Sequence, residues 1–192
     1  TGLTSVIIPD SVRFIDSSTF SGCTGLKKAV FLGDAPTGWA IFDSAANDFT
    51  VYYFNGKTDF TSPTWNGYPA VNMGDESPIP PWLLSKGLPY NADLQSAPNG
   101  DGVSLLTAYA LNLDPTQNQS GNLPRPAFSA DRLSLTYYAG SEGVTYSVES
   151  SDDLQNWTAE GVTVSAPDAD PFRTVTVPLS GSRRFLRLVI TK

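Results

Sequence analysis

Histidine is absent from this chain of 192 residues, and cysteine and methionine occur once each. Without histidine there is no Ser-His-Asp or Cys-His relay. The lone Cys23 has no disulfide partner and lacks the base that a thiol nucleophile commonly needs, so it is expected to pack as a small hydrophobe. Zinc chemistry lacks its His/Cys clusters. Cationic residues are scarce: 12 Lys and Arg face 19 Asp and Glu, for a net charge of −7. Nucleic-acid binding therefore has no phosphate-neutralising surface to draw on, and attraction to an anionic membrane is disfavoured for the same reason. No apolar run is long enough to span a bilayer, and no G-x-x-x-x-G-K-[ST] loop occurs. Glycoside cleavage needs two acids fixed across a cleft. Asp43, Asp48, Asp59 and Glu149 stand in turn-like or strand contexts that imply no cleft. No catalysis is expected.

What the chain has in quantity is aromatic residues (10 Phe, 8 Tyr and 4 Trp) and turn formers (16 Gly and 15 Pro). The first supply a core, and the second favour many turns and short strands over long helices. Near the N-terminus, Leu3-x-x-Val6-x-Ile8 recurs as Leu26-x-x-Ala29-x-Phe31, a period of 23 residues. A strand and turn repeating in the twenties is the mark of a leucine-rich coil, which buries its apolar face only by stacking on the next coil. The stretch LTSVIIPDSVRFIDSSTFSGCTGL closely resembles the BspA-like leucine-rich repeat of bacterial surface proteins. That pattern runs L-x-x-V-x-I-P-x-S-V-x-x-I and then F-x-x-C-x-x-L, with Asp16 and Thr19 here in place of the usual Gly and Ala. The resemblance covers about one and a half repeats and implies the C-terminal end of a longer solenoid. The chain opens inside this β-like pattern, so any targeting segment is expected upstream.

Residues 34–73 do not continue the repeat in sequence. Phe49–Phe54 reads as a strand, and Trp65-Asn66-Gly67-Tyr68 reads as more turn than strand. The segment is expected to cap the last coil, with Trp39, Phe42, Phe49, Tyr53, Phe60 and Trp65 as its core. The alternative use of such rings is a sugar-stacking platform, for which Trp65 and Tyr68, beside Asp59 and Asn66, are the candidate glycan contacts. Residues 74–98 form a Pro-rich connector holding a short helix from Pro81 to Gly87, with Trp82 and Leu83 docking on a neighbour.

Asn99–Asp114 reads as an amphipathic helix with Val103, Leu106, Ala110 and Leu113 on one face, capped by Asp101 or Ser104 and ended by Asp114-Pro115. Its lead-in, Asn99-x-Asp101-Gly102, is similar to the core of an EF-hand or dockerin-like calcium loop. With Asp101 at the fifth loop position, Ala97 and Ala108 fall where a carboxylate and a bidentate Glu belong, which excludes a full EF-hand. Asp93, Asn99 and Asp101, with carbonyls, remain the candidate calcium ligands. DGVSLLTAYALNLDP before a β-rich tail also resembles the C-terminal region of secreted proteins of Verrucomicrobia and related bacteria, with Leu105 and Ala108 replacing an Asn and a Glu.

Residues 123–192 read as all-β. Arg132–Ala139, Val144–Ser150, Trp157–Thr158, Gly161–Ser165, Phe172–Pro178 and Arg183–Thr191 give six strands of a small sandwich. YSVESSDDLQNWT is similar to a segment of fibronectin-III-like sandwiches, which implies that Tyr146 and Trp157 are core. Arg183, Arg184 and Arg187 form the sole basic cluster and read as edge protection and surface ion pairs.

The expected protein is mainly β. A terminal leucine-rich coil and cap occupy residues 1–74, a linker and helical connector residues 75–122, and an antiparallel sandwich residues 123–192. The expected function is that of a non-catalytic C-terminal part of a secreted or cell-surface bacterial protein with a structural or protein-binding role. The alternatives are a carbohydrate-binding module or a sorting and anchoring domain. Proteins or surface glycans are the expected partners, with no nucleic acid and no cofactor beyond candidate calcium.

Overall fold

The repeated Val-x-Ile and Ala-x-Phe triplets become strands. In the computed structural model, β1 (Ser5–Ile8) pairs in parallel with β2 (Lys28–Phe31), with Val6 against Ala29 and Ile8 against Phe31, the register that the 23-residue period predicts. The structure describes residues 2–129, 131–166, 170–179 and 183–192. The protein is mainly β, with several sheets and two α-helices among the described residues. It divides into two compact units, Thr1–Asn91 and Ala92–Lys192. The expected separate connector over 75–122 is shared between them. Its first helix belongs to the first unit and its second helix to the other.

In the first unit the ladder outlasts the sequence repeat. β3 (Thr50–Tyr53) pairs in parallel with β2, Lys28 against Thr50, and β5 (Tyr68–Asn72) pairs in parallel with β3, Val51 against Ala70. The turns stack as well: Ile15 N–H donates to Thr37 O at 3.0 Å and Phe20 N–H to Ile41 O at 3.1 Å. Residues 34–73 thus extend the stack with shortening steps, although their sequence no longer shows the repeat. Close stacking explains two glycines. A Cβ on Gly33 would sit 2.7 Å from Asp10 Cα, and one on Gly38, at φ +155°, would sit 2.3 Å from Ile15 O. Both pairs are one 23-residue step apart, so the backbone of one repeat rests on the next where no side chain fits.

Strand alternation splits the apolar residues of the ladder between two faces. One face carries Ile8, Ala29, Phe31, Val51, Tyr53 and Ala70 into a core completed by Leu26, Ile41, Phe42, Phe49 and Trp65. The other carries Val30 and Tyr52 into a second cluster with Phe54, Met73, Leu84 and Tyr90. Leu84 comes from α1 (Ile79–Ser85), which begins at a Pro pair and ends where Gly87, at φ +77°, lets Leu88 N–H reach Leu83 O. Leu83 is buried as expected and Trp82 half-buried. Two expectations for this unit are corrected. The Trp65–Tyr68 stretch is a hairpin, because Asn66 and Gly67 both take positive φ (48° and 84°) and join β4 (Thr64–Trp65) to β5 with a two-residue turn. Trp39 is 72% exposed rather than part of the cap core.

In the second unit the expected helix over Asn99–Asp114 shrinks to α2 (Leu105–Ala110). Ser104, not Asp101, caps it, its Oγ accepting from Thr107 N–H at 3.2 Å. It ends before Asp114-Pro115 because Asn112 enters the left-handed region at φ +53°. That lets Leu113 N–H donate to Ala108 O and Asn112 N–H to Tyr109 O. Leu105, Leu106, Ala108, Tyr109 and Ala110 are all buried, so every position of the helix but Thr107 is buried, rather than one stripe alone.

The β-rich tail forms two antiparallel sheets. In one, β6 (Pro126–Phe128), β7 (Arg132–Tyr138), β10 (Phe172–Pro178) and β9 (Thr163–Val164) lie in the order β6-β7-β10-β9, and in the other β8 (Thr145–Ser151) pairs with β11 (Phe185–Thr191). Five of the six expected segments contain a strand. Trp157–Thr158 contributes only a bridge from Thr158 to Ser150, and β6 was not anticipated. Tyr137, Val148, Val175 and Leu111 make the buried centre, with Leu186, Leu188 and Ile190 of β11 packed against it. Both sheets therefore turn an apolar face to one core. Tyr146 is half-buried with its hydroxyl on Ala110 O at 2.7 Å. Trp157 is not core: it lies half-buried beneath the Arg187 guanidinium, 4.3 Å from its ring centroid.

Candidate functional site

The lead-in to α2 is held by hydrogen bonds. The Asn99 amide donates to Pro115 O at 2.6 Å and Gln117 O at 2.8 Å. One Asp101 carboxylate oxygen accepts Val103 N–H at 2.9 Å, and the other accepts Gln119 N–H at 2.7 Å. Those backbone bonds, from Gln119 first and Val103 second, hold the Asp101 carboxyl below its ordinary range. The buried Gln119 side chain completes the link, donating to Asp114 O and accepting from Asn122. Asp93 caps its own turn, accepting from Gln95 N–H at 3.0 Å.

These residues do not fit a calcium loop. Asn99 turns its donor end toward the carbonyls that a cation would need, Asp101 is engaged by two N–H groups, and Ala108 lies buried in the helix. Among the described residues no group of three His, Cys, Asp or Glu side chains could hold a metal. The expected calcium ligands Asp93, Asn99 and Asp101 are corrected accordingly. Asn99 and Asp101 staple the two loops flanking α2 to each other.

The expected sugar platform is corrected for a different reason. Trp65 is 7% exposed and packs edge-on with Phe31 (5.4 Å between centroids) and Phe60 (5.1 Å). Tyr68 packs against Phe42 and Phe49, and its hydroxyl points at Asp43, 3.5 Å away. A concavity of about 450 Å³ does gather Asp59, Trp65 and Asn66 with Gly38, but Tyr68 takes no part in it. Trp65 is too buried to offer the open face that stacking on sugar C–H groups requires, and Tyr68 lies outside the concavity.

The basic residues separate. Arg183 is exposed. Arg184 is drawn inward, donating to Asp152 Oδ1 and to the buried Ser150 Oγ, both at 2.9 Å. Arg187 pairs with Glu149 at 2.6 Å across the β8–β11 ladder while lying on Trp157. Beside them Asp153 accepts from the backbone N–H groups of Asn156 and Gln155 and from the Asn156 amide, and these bonds push its carboxyl far down. Cys23 is a free, half-buried thiol packed against the first core.

Two grooves in the second unit escaped the sequence reading. One, of about 300 Å³, is chiefly aliphatic, with Leu106, Leu135, Leu186, Leu188 and Ile190 in its walls. The other, also about 300 Å³, is mixed. Leu111, Leu113, Pro124 and Tyr137 border it together with Asn112, Asn122, Thr136, Tyr138 and Phe172, so that amides, hydroxyls and aromatic rings gather about it. Tyr138 and Phe172 are register partners on β7 and β10, and their rings meet edge to face at 5.6 Å and 82°. Phe172 is 51% exposed. No single sequence signal announces this groove, because its residues come from the end of α2, from the loop before β6 and from two strands.

No protein-family model, curated protein or solved structure matches the chain. The functional reading therefore rests on geometry. Among the described residues no helix is long and apolar enough to cross a membrane.

Proposed function

We propose that this chain belongs to a secreted or surface-displayed bacterial protein, with a structural and protein-binding role rather than a catalytic one. In this reading the first unit is the end of a BspA-like leucine-rich solenoid with its cap, and the second is a β-sandwich preceded by a short helix. The observation that carries the proposal is the parallel ladder of β1 and β2 in the register of the 23-residue period, extended through β3 and β5. The stacked glycines Gly33 and Gly38 support it, since the backbone 23 residues earlier leaves neither of them room for a side chain. A non-catalytic role is supported by what the carboxylates do. Asp48 pairs with Lys27, Glu76 with Lys57 and Glu149 with Arg187, and Asp34 accepts Thr58 N–H. Protease shaving of intact source cells, followed by antibody detection of fragments, tests the location. Release of the chain by protease from unbroken cells, or its recovery from the medium, is the expected result. Recovery solely from the cytosolic fraction would overturn the proposal.

A further inference from the structure

We propose that the groove walled by Tyr138 and Phe172 binds a neutral sugar ring. This inference is independent of where the protein resides and concerns the second unit alone.

The lining supplies what a pyranose needs. Sugar rings present apolar C–H faces and an equatorial belt of hydroxyls that donate and accept at once, so a site requires an aromatic wall beside groups of both hydrogen-bonding senses. Tyr138 and Phe172 provide the wall, and Phe172 is half-exposed. Asn112 and Asn122 provide carboxamides. Asn122 Nδ2 already donates to Gln119 Oε1 at 2.8 Å, which fixes the amide's orientation and leaves its carbonyl oxygen as an acceptor. Thr136 shares its hydroxyl with Thr174 at 2.9 Å and is thereby oriented too.

The wall is preorganised. A Cβ on Gly140 would lie 2.7 Å from the Tyr138 hydroxyl oxygen, 2.8 Å from its Cζ and 2.9 Å from Pro171 Cβ, so the tip of the ring rests on a bare backbone and a side chain there would have to displace it. Asn112 is held by the helix-ending turn at φ +53°, a conformation that Asn tolerates better than most residues. A site whose side chains are already fixed loses less entropy on binding.

The same lining selects against other ligands. It contains no Lys or Arg to neutralise a phosphate or carboxylate and no acid to hold a cation, and the chain carries a net charge of −7. Charged saccharides and nucleotides are therefore disfavoured. The two amides and the threonine break up the apolar surface that an acyl chain would require.

The test titrates the full chain with neutral tetrasaccharides (cellotetraose, xylotetraose, mannotetraose, maltotetraose and chitotetraose) by calorimetry and by amide-shift perturbation. A tetragalacturonate serves as the charged comparison. At least one neutral saccharide is expected to bind and to shift Asn112, Thr136, Tyr138 and Phe172. Phe172→Ala and Tyr138→Ala are each expected to weaken it about tenfold or more. Asn112→Gly removes the amide while keeping a residue that accepts the positive φ, and is expected to weaken binding without lowering the melting temperature. Gly140→Ala should displace the Tyr138 ring and weaken binding with Tyr138 still present. Thermal melts of each variant separate lost binding from lost fold. Absence of binding by every neutral saccharide, affinity unchanged by Phe172→Ala, or binding of the charged saccharide alone would each overturn the assignment.

Discussion

Truncating Phe42 while leaving Trp39 intact, and the reverse, gives the sharpest test of where the core of the first unit lies. The two residues are three apart in the same Gly-Trp-Ala-Ile-Phe stretch, and their composition gives no reason to treat them differently. The structure makes them opposites. Phe42 is 0% exposed and touches four rings: Phe49 at 4.7 Å, Phe20 at 5.2 Å, Tyr68 at 5.7 Å and Phe31 at 6.3 Å. Burying a Phe side chain contributes about 1.5–3 kcal/mol from area alone. Each favourable ring pair adds about 0.5–1.5 kcal/mol, and the cavity left by truncation adds more. Phe42→Ala is therefore expected to cost about 4 kcal/mol, within the range of about 3–5 kcal/mol seen for buried Phe→Ala changes. Against a typical domain stability of about 5–15 kcal/mol this is a large fraction. Trp39→Ala, at a site 72% exposed, is expected to stay within about 0.5 kcal/mol of the parent. The assay is urea unfolding, with hydrogen exchange of β2 and β3 amides as the local readout. At an m-value of about 2 kcal/mol/M the Phe42 variant loses about 2 M of midpoint. A cost below about 1.5 kcal/mol for Phe42→Ala, or equal costs for the two variants, would refute the packing argument.

Gly38→Ala is expected to destabilise the first unit more than Gly56→Ala, because the Gly38 Cβ meets Ile15 O at 2.3 Å whereas that of Gly56 has open space, and both have positive φ; paired thermal melts decide. Tyr146→Phe should cost about 1 kcal/mol by urea titration, the net worth of the 2.7 Å bond from its hydroxyl to Ala110 O. Asp101→Asn should lower the melting temperature, while millimolar calcium or chelator moves neither parent nor variant; a calcium-dependent rise in the parent would restore the metal reading. Asp34, Asp48, Asp101 and Asp153 all have folded-state pKa values below the ordinary 3.8. Their contribution is complete well above that value and is lost as pH falls through it toward the lowered folded values, so urea midpoints should hold steady above about pH 5 and drop below about pH 4.

Much of the fold was legible where local pattern and tertiary demand agree. The 23-residue period gave β1 and β2 with the correct register, and alternation gave β7, β8, β10 and β11. The third and fourth rungs were hidden because their spacing changes: Lys28 pairs with Thr50, but Val51 pairs with Ala70, so no fixed period survives. The helix over 99–114 was overextended for a physical reason. Apolar spacing from Val103 to Leu113 fits a helix, but the Asn112 turn and the capping oxygen of Ser104 confine it to six residues. Trp39 is expected inside because aromatic residues usually are, and Trp157 because the resemblance to a fibronectin-III-like segment implies it; exposure depends on which way a stacked turn or a bridge strand faces, and single-sequence pattern does not record that.

The candidate sites show the same division in chemical terms. Sequence spacing drew attention to Asn99 and Asp101 because oxygen-bearing side chains at alternate positions before a glycine can surround a cation. Such side chains have a second use. A backbone loop also exposes N–H groups and carbonyls that must be satisfied, and here the Asp101 oxygens take two of those N–H groups while the Asn99 amide takes two of those carbonyls. With Ala97 and Ala108 in place of further carboxylates, the balance falls to loop closure: two side chains satisfy four backbone groups and leave no converging set of free oxygens. The Tyr138–Phe172 groove is the converse case. None of its residues is conspicuous alone, and Asn112 is there first to end a helix. Its chemistry arises only when antiparallel register sets Phe172 opposite Tyr138, with Gly140 leaving room for the tip of the tyrosine ring.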